Sequence, residues 1–391
     1  MSLVLRGNWN YPTTIWAGPG RIAELADACA RSGISRPLVV TDEGLVNAPM
    51  IRSAVNALPG AGLFGAVRGN PASSHVEGGL KAYRAGKHDG VVAFGGGSAL
   101  DTGKVVAFMS GQTRPLWDFE DIGDWWTRAD PLGIAPVVAV PTTAGTGSEV
   151  GRAGVILNEQ THQKKIIFHP QMMPRIVIAD PELTVGLPPG VTAATGIDAF
   201  VHCFEAYCAP GFHPLAEGVA LEGMRLVQRF LPRAYDDGND IEARANMLAA
   251  ATMGATAFQK GLGGVHAIAH PVGSWFNTHH GLTNAVILPY VVTFNRSAIE
   301  HKAEIISRFL DLPGKGFDGL LAWILEFRQR LGIPHALSAI GVSLDNAETI
   351  GREAAVDPSA GGNPIKVTAG DLEHIFRAAV AGNLAAAGRA A

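Results

Sequence analysis

Apolar positions along the chain change rhythm near its middle. In the first half, short continuous apolar runs alternate with helix-like stretches. The runs are residues 37–41 (PLVVT), 90–94 (GVVAF), 136–140 (PVVAV) and 175–179 (RIVIA). Their brevity and Val/Ile content predict strands buried on both faces. The segments 22–32 and 99–109 between them carry helical patterns. Strand–helix alternation of this kind predicts a mostly parallel sheet flanked by helices.

The change comes near Asp180-Pro181, followed by the loop signal GLPPG at 186–190. Strand-like runs then nearly vanish, and long Ala/Leu/Met-rich stretches with helical period occupy 192–209, 214–231, 240–260 and 317–331. Residues 1–186 are therefore expected to form an α/β domain and 187–391 an all-helical one, with a ligand site between the two.

Composition narrows the function classes. The chain has 391 residues, 47% hydrophobic and 17% charged, enough apolar material for a large core. The formal net charge is −4 and no Lys/Arg run stands out, so nucleic-acid and membrane-surface partners are not expected. No apolar stretch is long enough to span a bilayer, and residues 1–10 lack a signal-peptide pattern. Three cysteines, Cys29, Cys203 and Cys208, cannot make a disulfide framework; cytoplasm is the expected compartment.

Gly95-Gly96-Gly97-Ser98 directly follows one apolar run and opens a helix. Glycines let the backbone approach a phosphate, and free helix N–H groups face it. An ordinary tight turn is the alternative. The motif is not a P-loop, because Val105 follows Lys104. Gly96, Gly97, Ser98 and Asp101 are the cofactor-binding residues expected here. Gly18-Pro19-Gly20 fits a dinucleotide fingerprint literally, but Pro19 stiffens it, and it reads as a structural turn. A second loop, PTTAGTGSE at 141–149, follows the next strand. Asp42 ends the run PLVVT, where a carboxylate either accepts from both adenosine ribose hydroxyls, favouring NAD over NADP, or caps the following turn.

Six of the 13 histidines fall within 202–280. Asp198 and His202 are four apart, on one face of a helix. His266 and His270, then His279 and His280, form a second cluster. One carboxylate and three imidazoles suit Fe²⁺ or Zn²⁺. A lone Asp-x₃-His pair can equally be structural.

The strings GGGSALDTGK (95–104), PTTAGTGSE (141–149), DPELTVGLP (180–188), ATGIDAFVHCFEAY (194–207), GLGGVHAIAHPVG (261–273) and HHGLTNAVILPY (279–290) together resemble the iron-containing alcohol dehydrogenase family over nearly the whole chain. The resemblance implies a Rossmann-like dinucleotide-binding domain followed by a helical metal domain, as in the dehydroquinate synthase-like fold. It implies NAD as cofactor and Asp198, His202, His266 and His280 as ligands of Fe²⁺ or, alternatively, Zn²⁺. His280 rather than His279 matches, because it directly precedes Gly281. Asn70, Thr142, Thr143, Thr146 and Lys164 match cofactor-side positions. A homodimer acting on a small alcohol or aldehyde is expected.

In such an enzyme the metal is a Lewis acid for the alcohol oxygen, and hydride passes to nicotinamide. His270, one turn beyond His266, is the expected proton carrier, or else a packed core histidine. Glu205 is placed to support a ligand. Arg152 and Lys260 depart from the family pattern. Cations beside an apolar pocket call for an anion: cofactor pyrophosphate, Asp or Glu side chains, or a substrate carboxylate. With DPELTVGLP, this combination is similar to the subgroup containing 4-hydroxybutyrate dehydrogenases, implying succinic semialdehyde or another ω-oxo acid. Simple-alcohol or lactaldehyde-type dehydrogenases and maleylacetate reductases share much of the pattern. The metal-free reductases are disfavoured by the intact ligand set, and a dehydroquinate synthase-like lyase by Asp198. A non-catalytic metal- or nucleotide-binding protein is disfavoured because ligands and phosphate loops occur together.

Overall fold

The computed structural model describes residues 7–9 and 12–388, so most of the stretch read for a leader pattern lies outside them. The chain divides into two compact units, residues up to Thr143 with Gly147–Gly186, and Ala144–Thr146 with Leu187 onward.

The first unit has strands β1 (Gly7–Trp9), β2 (Thr14–Ala17), β3 (Pro37–Asp42), β4 (Gly62–Val67), β5 (Gly90–Gly95), β6 (Val137–Pro141), β7 (Ala153–Asn158), β8 (Gln163–Phe168) and β9 (Ile176–Ala179). Seven form one sheet in the order β1-β2-β9-β6-β5-β3-β4, parallel except for β1 at the edge, and β7–β8 is a separate antiparallel hairpin. The four continuous apolar runs are β3, β5, β6 and β9. Val39, Val40, Val91, Val92, Val138 and Val177 are completely buried, as strands covered on both faces should be. Helices α1 (Leu25–Arg31), α2 (Pro49–Ala57), α3 (Ser73–Ala85) and α4 (Gly97–Met109) connect them. β4 carries Gly62 and Gly65 at the sheet edge with mostly half-exposed positions, so it shows no apolar run in the sequence.

Chain direction reverses between β3 and β5. From β3 the chain steps outward to β4, then returns to β5 on the other side of β3 and continues through β6 to β9. Ligands of open parallel sheets bind at such a switch point, beyond the carboxyl ends of the strands. Asp42 and Gly95 are those two ends. In the Gly18–Gly20 turn the Asp180 carboxylate accepts from Gly20 N–H (3.2 Å) and from Ile22 N–H (2.9 Å).

The second unit holds α5 (Pro189–Cys208), α6 (Pro214–Asp236), α7 (Ile241–Ala257), α8 (Gly264–Phe276), α9 (His280–Phe294), α10 (Arg296–Phe309), α11 (Gly316–Arg330), α12 (Ala347–Val356) and α13 (Ala369–Ala381). Every residue of α5 from Thr192 to Cys208 is buried, which makes it the central helix. Three glycines set the spacing around it. A Cβ at Gly281 would lie 2.6 Å from Ala194 O, one at Gly254 2.9 Å from His202 Cβ, and one at Gly145 2.8 Å from Thr195 Cβ. Only glycine permits these approaches.

Prolines interrupt α8 at Pro271 and α9 at Pro289. Pro289 has no N–H for the Ala285 carbonyl. The buried Arg328 guanidinium replaces it, donating to Ala285 O (3.0 Å) and Val286 O (2.8 Å). Burial lowers the Arg328 pKa to about 10. No described helix is long and apolar enough to cross a membrane.

Candidate functional site

In the first unit, α4 begins at Gly97 with Gly96 as its N-cap and no side-chain cap, so backbone N–H groups remain at the glycine turn. Gly95 has φ 154, and a Cβ there would lie 2.7 Å from Ala99 Cβ and 3.1 Å from the Asp42 carboxylate. Asp42 thus borders the turn across the switch point. Its Oδ1 also accepts from Leu45 N–H (3.0 Å), so the turn-capping role read as an alternative is present. Burial raises its pKa.

The second loop lies alongside. Thr142 N–H donates to Gly95 O (3.0 Å), and Thr143 adjoins Gly96, whose Cβ would be 3.3 Å from Thr143 Cγ2. Thr146 belongs to the second unit. Asn70 is left-handed (φ 54); the next residue's carbonyl accepts from Leu157 N–H (2.7 Å), and Leu157 pairs in register with Lys164. Asp101 acts on the loop itself. Its carboxylate accepts from Ser148 Oγ (2.5 Å) and Val155 N–H (3.0 Å) and lies 3.2 Å from Lys104 Nζ, which also donates to Ser148 O. These bonds make it a brace between α4 and the 141–149 loop.

In the second unit, helix periodicity builds a four-residue cluster. Asp198 and His202 sit one turn apart on α5, His266 in the first turn of α8, and His280 at the start of α9. One ligand atom from each lies within 4.8 Å of all the others. Asp198 Oδ1 is 4.0 Å from His202 Nε2, 3.9 Å from His266 Nε2 and 3.8 Å from His280 Nε2. Asp198, His202 and His266 are buried; His280 is partly exposed. Three imidazoles and a carboxylate converging in this way are the donor set of a borderline divalent cation. His279 is not in the cluster: its Nδ1 caps α9 by accepting from Leu282 N–H.

The two buried histidines of the cluster are shifted in pKa in opposite directions. Burial lowers the His202 pKa to about 4, keeping its ring neutral. Burial opposes charge on His266 too, but the bond and charge of Glu205 outweigh it and raise that pKa. Glu205 Oε2 lies 2.6 Å from His266 Nδ1, which leaves the Nε2 lone pair facing the cluster. The other oxygen accepts from Val265 N–H (2.7 Å) at the N-terminus of α8. Gly263 makes room, since a Cβ there would be 2.9 Å from Glu205 Oε1. The GLGGVH string therefore encodes a helix start capped by a buried carboxylate.

His270 adjoins the cluster without joining it. Its ring stacks on His280 at 5.5 Å and 15°, and its Nδ1 lies 2.8 Å from Asp357 Oδ2. Burial works against the Asp357 charge, but His270 and the Ser359 backbone lower its pKa overall. Asp357 was not apparent in the sequence, 87 residues away from its partner. Asn284 was also missed: its Nδ2 is 2.7 Å from Asp198 Oδ1 and 3.1 Å from Nε2 of both His266 and His280. The signal was its position four residues after His280, the spacing that joins Asp198 to His202.

Of the two unusual cations, Lys260 is already neutralised. Its side chain is 2% exposed, and its Nζ donates to Glu217 Oε1 (2.6 Å) and Tyr207 O (3.3 Å). Lys302 donates to the same two groups. The anion that Lys260 requires is thus Glu217, a side-chain partner rather than a substrate carboxylate. Arg152 precedes β7, half-buried, with Cζ 5.6 Å from the Phe168 ring centre.

Residues 12–181 match the model of the iron-containing alcohol dehydrogenases, and residues 192–380 match the C-terminal model of the same family. The chain is 38% identical to 4-hydroxybutyrate dehydrogenase of Cupriavidus necator, over 94% of this chain and 98% of that one. It is 31% identical to NAD-dependent methanol dehydrogenase of Bacillus methanolicus, over 95% and 100%. A crystal structure of 1,3-propanediol oxidoreductase superposes with a TM-score of 0.86 at 33% identity, covering 93% of this chain and 96% of that one. A parallel-sheet unit, a helical unit carrying one aspartate and three histidines, and these matches all agree: the chain belongs to the iron-containing alcohol dehydrogenase family and is an oxidoreductase, a family membership that implies NAD and a divalent metal.

Proposed function

We propose that the protein is a metal-dependent NAD(H) alcohol dehydrogenase that interconverts an ω-hydroxy acid of the 4-hydroxybutyrate type with its semialdehyde. The observation that carries the dehydrogenase reading is the Asp198–His202–His266–His280 cluster, with four donor atoms within 4.8 Å in a buried helical core. These residues would hold Fe²⁺ or Zn²⁺. A divalent ion bound there supplies a Lewis acid that stabilises a developing alkoxide.

The chain's own groups do the rest. Glu205 holds His266 in the tautomer whose Nε2 faces inward. Asp357 holds Nδ1 of His270, so Nε2 is the atom that receives the alcohol proton. The Gly95–Ser98 turn and the α4 N-terminus bind the dinucleotide phosphates, and Asp42 accepts from the ribose. Thr142, Thr143, Thr146, Asn70 and Lys164 complete the cofactor contacts.

The substrate proposal rests on the C. necator relative and on Arg152, whose guanidinium is suited to a bidentate carboxylate. Lys260 is left out of it because Glu217 holds it. A neutral alcohol is the second reading, favoured by that same neutralisation and by the methanol and propanediol relatives. Turnover on a panel of charged and uncharged aldehydes, with NADH and NADPH and with metal content measured in parallel, tests the whole proposal. Chelator-resistant activity in metal-free protein would overturn it. A cytoplasmic homodimer completes the reading. The three cysteines are all buried and free, in keeping with a reducing compartment, and light scattering of the purified protein tests the dimer.

A further inference from the structure

Asn284 is completely buried, on α9 one turn beyond His280. Its Nδ2 faces three acceptors of the metal cluster, Asp198 Oδ1 at 2.7 Å and the Nε2 atoms of His266 and His280 at 3.1 Å each. We propose that Asn284 is a positioning residue of the metal centre, whose amide N–H holds the Asp198 carboxylate oxygen, an atom that keeps a further lone pair for a cation. The inference rests on the ligand assignment made above.

Chemistry fixes the direction of the amide. Turned over, it would set a carbonyl oxygen 2.7 Å from a carboxylate oxygen, acceptor against acceptor, so nitrogen must face Asp198. His266 has its Nδ1 on Glu205, which leaves its Nε2 lone pair for a cation. An N–H directed at a carboxylate is a charge-assisted bond, and it is the shortest of the three.

The same orientation leaves Asn284 Oδ1 buried without a hydrogen-bond partner. Leucine, of similar size, would fill the space at no such cost. An amide kept there at the expense of an unmatched acceptor is what a positioning role requires and what a packing role does not. A carboxylate of the same shape would instead oppose Asp198 in the absence of a cation.

Asn284→Ala, Asn284→Leu and Asn284→Asp, with wild type and His266→Ala, are titrated with Zn²⁺ and with Fe²⁺ against a chromophoric chelator. Unfolding temperatures are recorded with and without metal. Loss of an orienting partner typically weakens metal binding by roughly 10- to 100-fold. Both Asn284→Ala and Asn284→Leu should show that loss while keeping wild-type circular dichroism. Asn284→Asp should melt lower than wild type without metal and gain more from Zn²⁺, because the cation relieves the second carboxylate. Wild-type metal affinity in Ala and Leu variants, or an unchanged Zn²⁺-induced gain in the Asp variant, overturns the inference while the ligand assignment stands. Wild type that binds no metal, or His266→Ala that binds it equally well, overturns both.

Discussion

Glu205 joins two structures through one carboxylate: Oε2 meets His266 Nδ1 at 2.6 Å, while Oε1 caps the start of α8 at Val265 N–H, 2.7 Å away. Helix start and ligand orientation are thus one feature. Glu205→Gln retains an acceptor for only one of the two donors and no charge for either. Metal affinity should fall by roughly 10- to 100-fold, as for other groups that orient a ligand histidine. Loss of the cap alone should cost about 0.5–2 kcal/mol. Chelator competition and thermal unfolding together measure both. A variant that loses stability and keeps metal affinity would show that Glu205 serves only the helix.

His266→Ala removes one of four converging donors. Metal content should drop and turnover vanish. NAD binding, followed by NADH fluorescence, should persist, because the glycine turn belongs to the other unit. Full metal content together with full activity would sink the ligand assignment.

Asp42 borders Gly95 at the reversal of the sheet. Wild type should prefer NAD(H). Asp42→Gly should shift the preference toward NADP(H) by about tenfold or more, corresponding to about 1.4 kcal/mol. Asp42→Asn, which keeps an acceptor for Leu45 N–H, separates the charge effect from the turn contact. A wild type that already favours NADPH denies Asp42 this role.

The Glu217 carboxylate is held below its ordinary pKa of 4.5, first by its hydrogen bond to Lys260. A lowered acidic pKa contributes stability above the unfolded value, and that stability is lost as pH falls through the folded value. Wild type should therefore melt above Glu217→Gln at pH 7. The gap should close as the pH drops from 4.5 through the lowered pKa. A gap that stays constant to low pH would mean that packing, not the ion pair, separates the two proteins.

Legibility in the sequence followed the range of the interaction. β3, β5, β6 and β9 were readable because burial on both faces removes polar positions. α5 was readable from its period, and Asp198 with His202 from helix spacing. α8 and α9 were not marked as helices, since Pro271 and Pro289 break the local pattern. Arg328, which meets the carbonyls exposed by Pro289, is 42 residues or more away. The same limit hid Glu217 from Lys260, its partner 43 residues later, and Asp357 from His270. For Lys260 the sequence left cofactor pyrophosphate, an Asp or Glu side chain and a substrate carboxylate open, and the fold supplies Glu217.

The Glu217 contact sharpens the substrate test, because Lys260 then serves an ion pair within the fold and separates in its effects from Arg152. kcat/KM should be higher for succinic semialdehyde than for butanal of the same carbon number. A charge-assisted hydrogen bond to carboxylate contributes on the order of 1.5–3 kcal/mol. The corresponding discrimination is roughly 10- to 100-fold. Arg152→Ala should remove much of that gap while leaving butanal turnover nearly unchanged. Lys260→Ala should impair both aldehydes alike and lower the melting temperature, because it leaves Glu217 without its shortest ion pair. Selective loss of semialdehyde turnover in Lys260→Ala would return that lysine to the substrate. Equal rates for the two aldehydes in wild type would refute the carboxylate reading altogether and make a neutral alcohol the substrate.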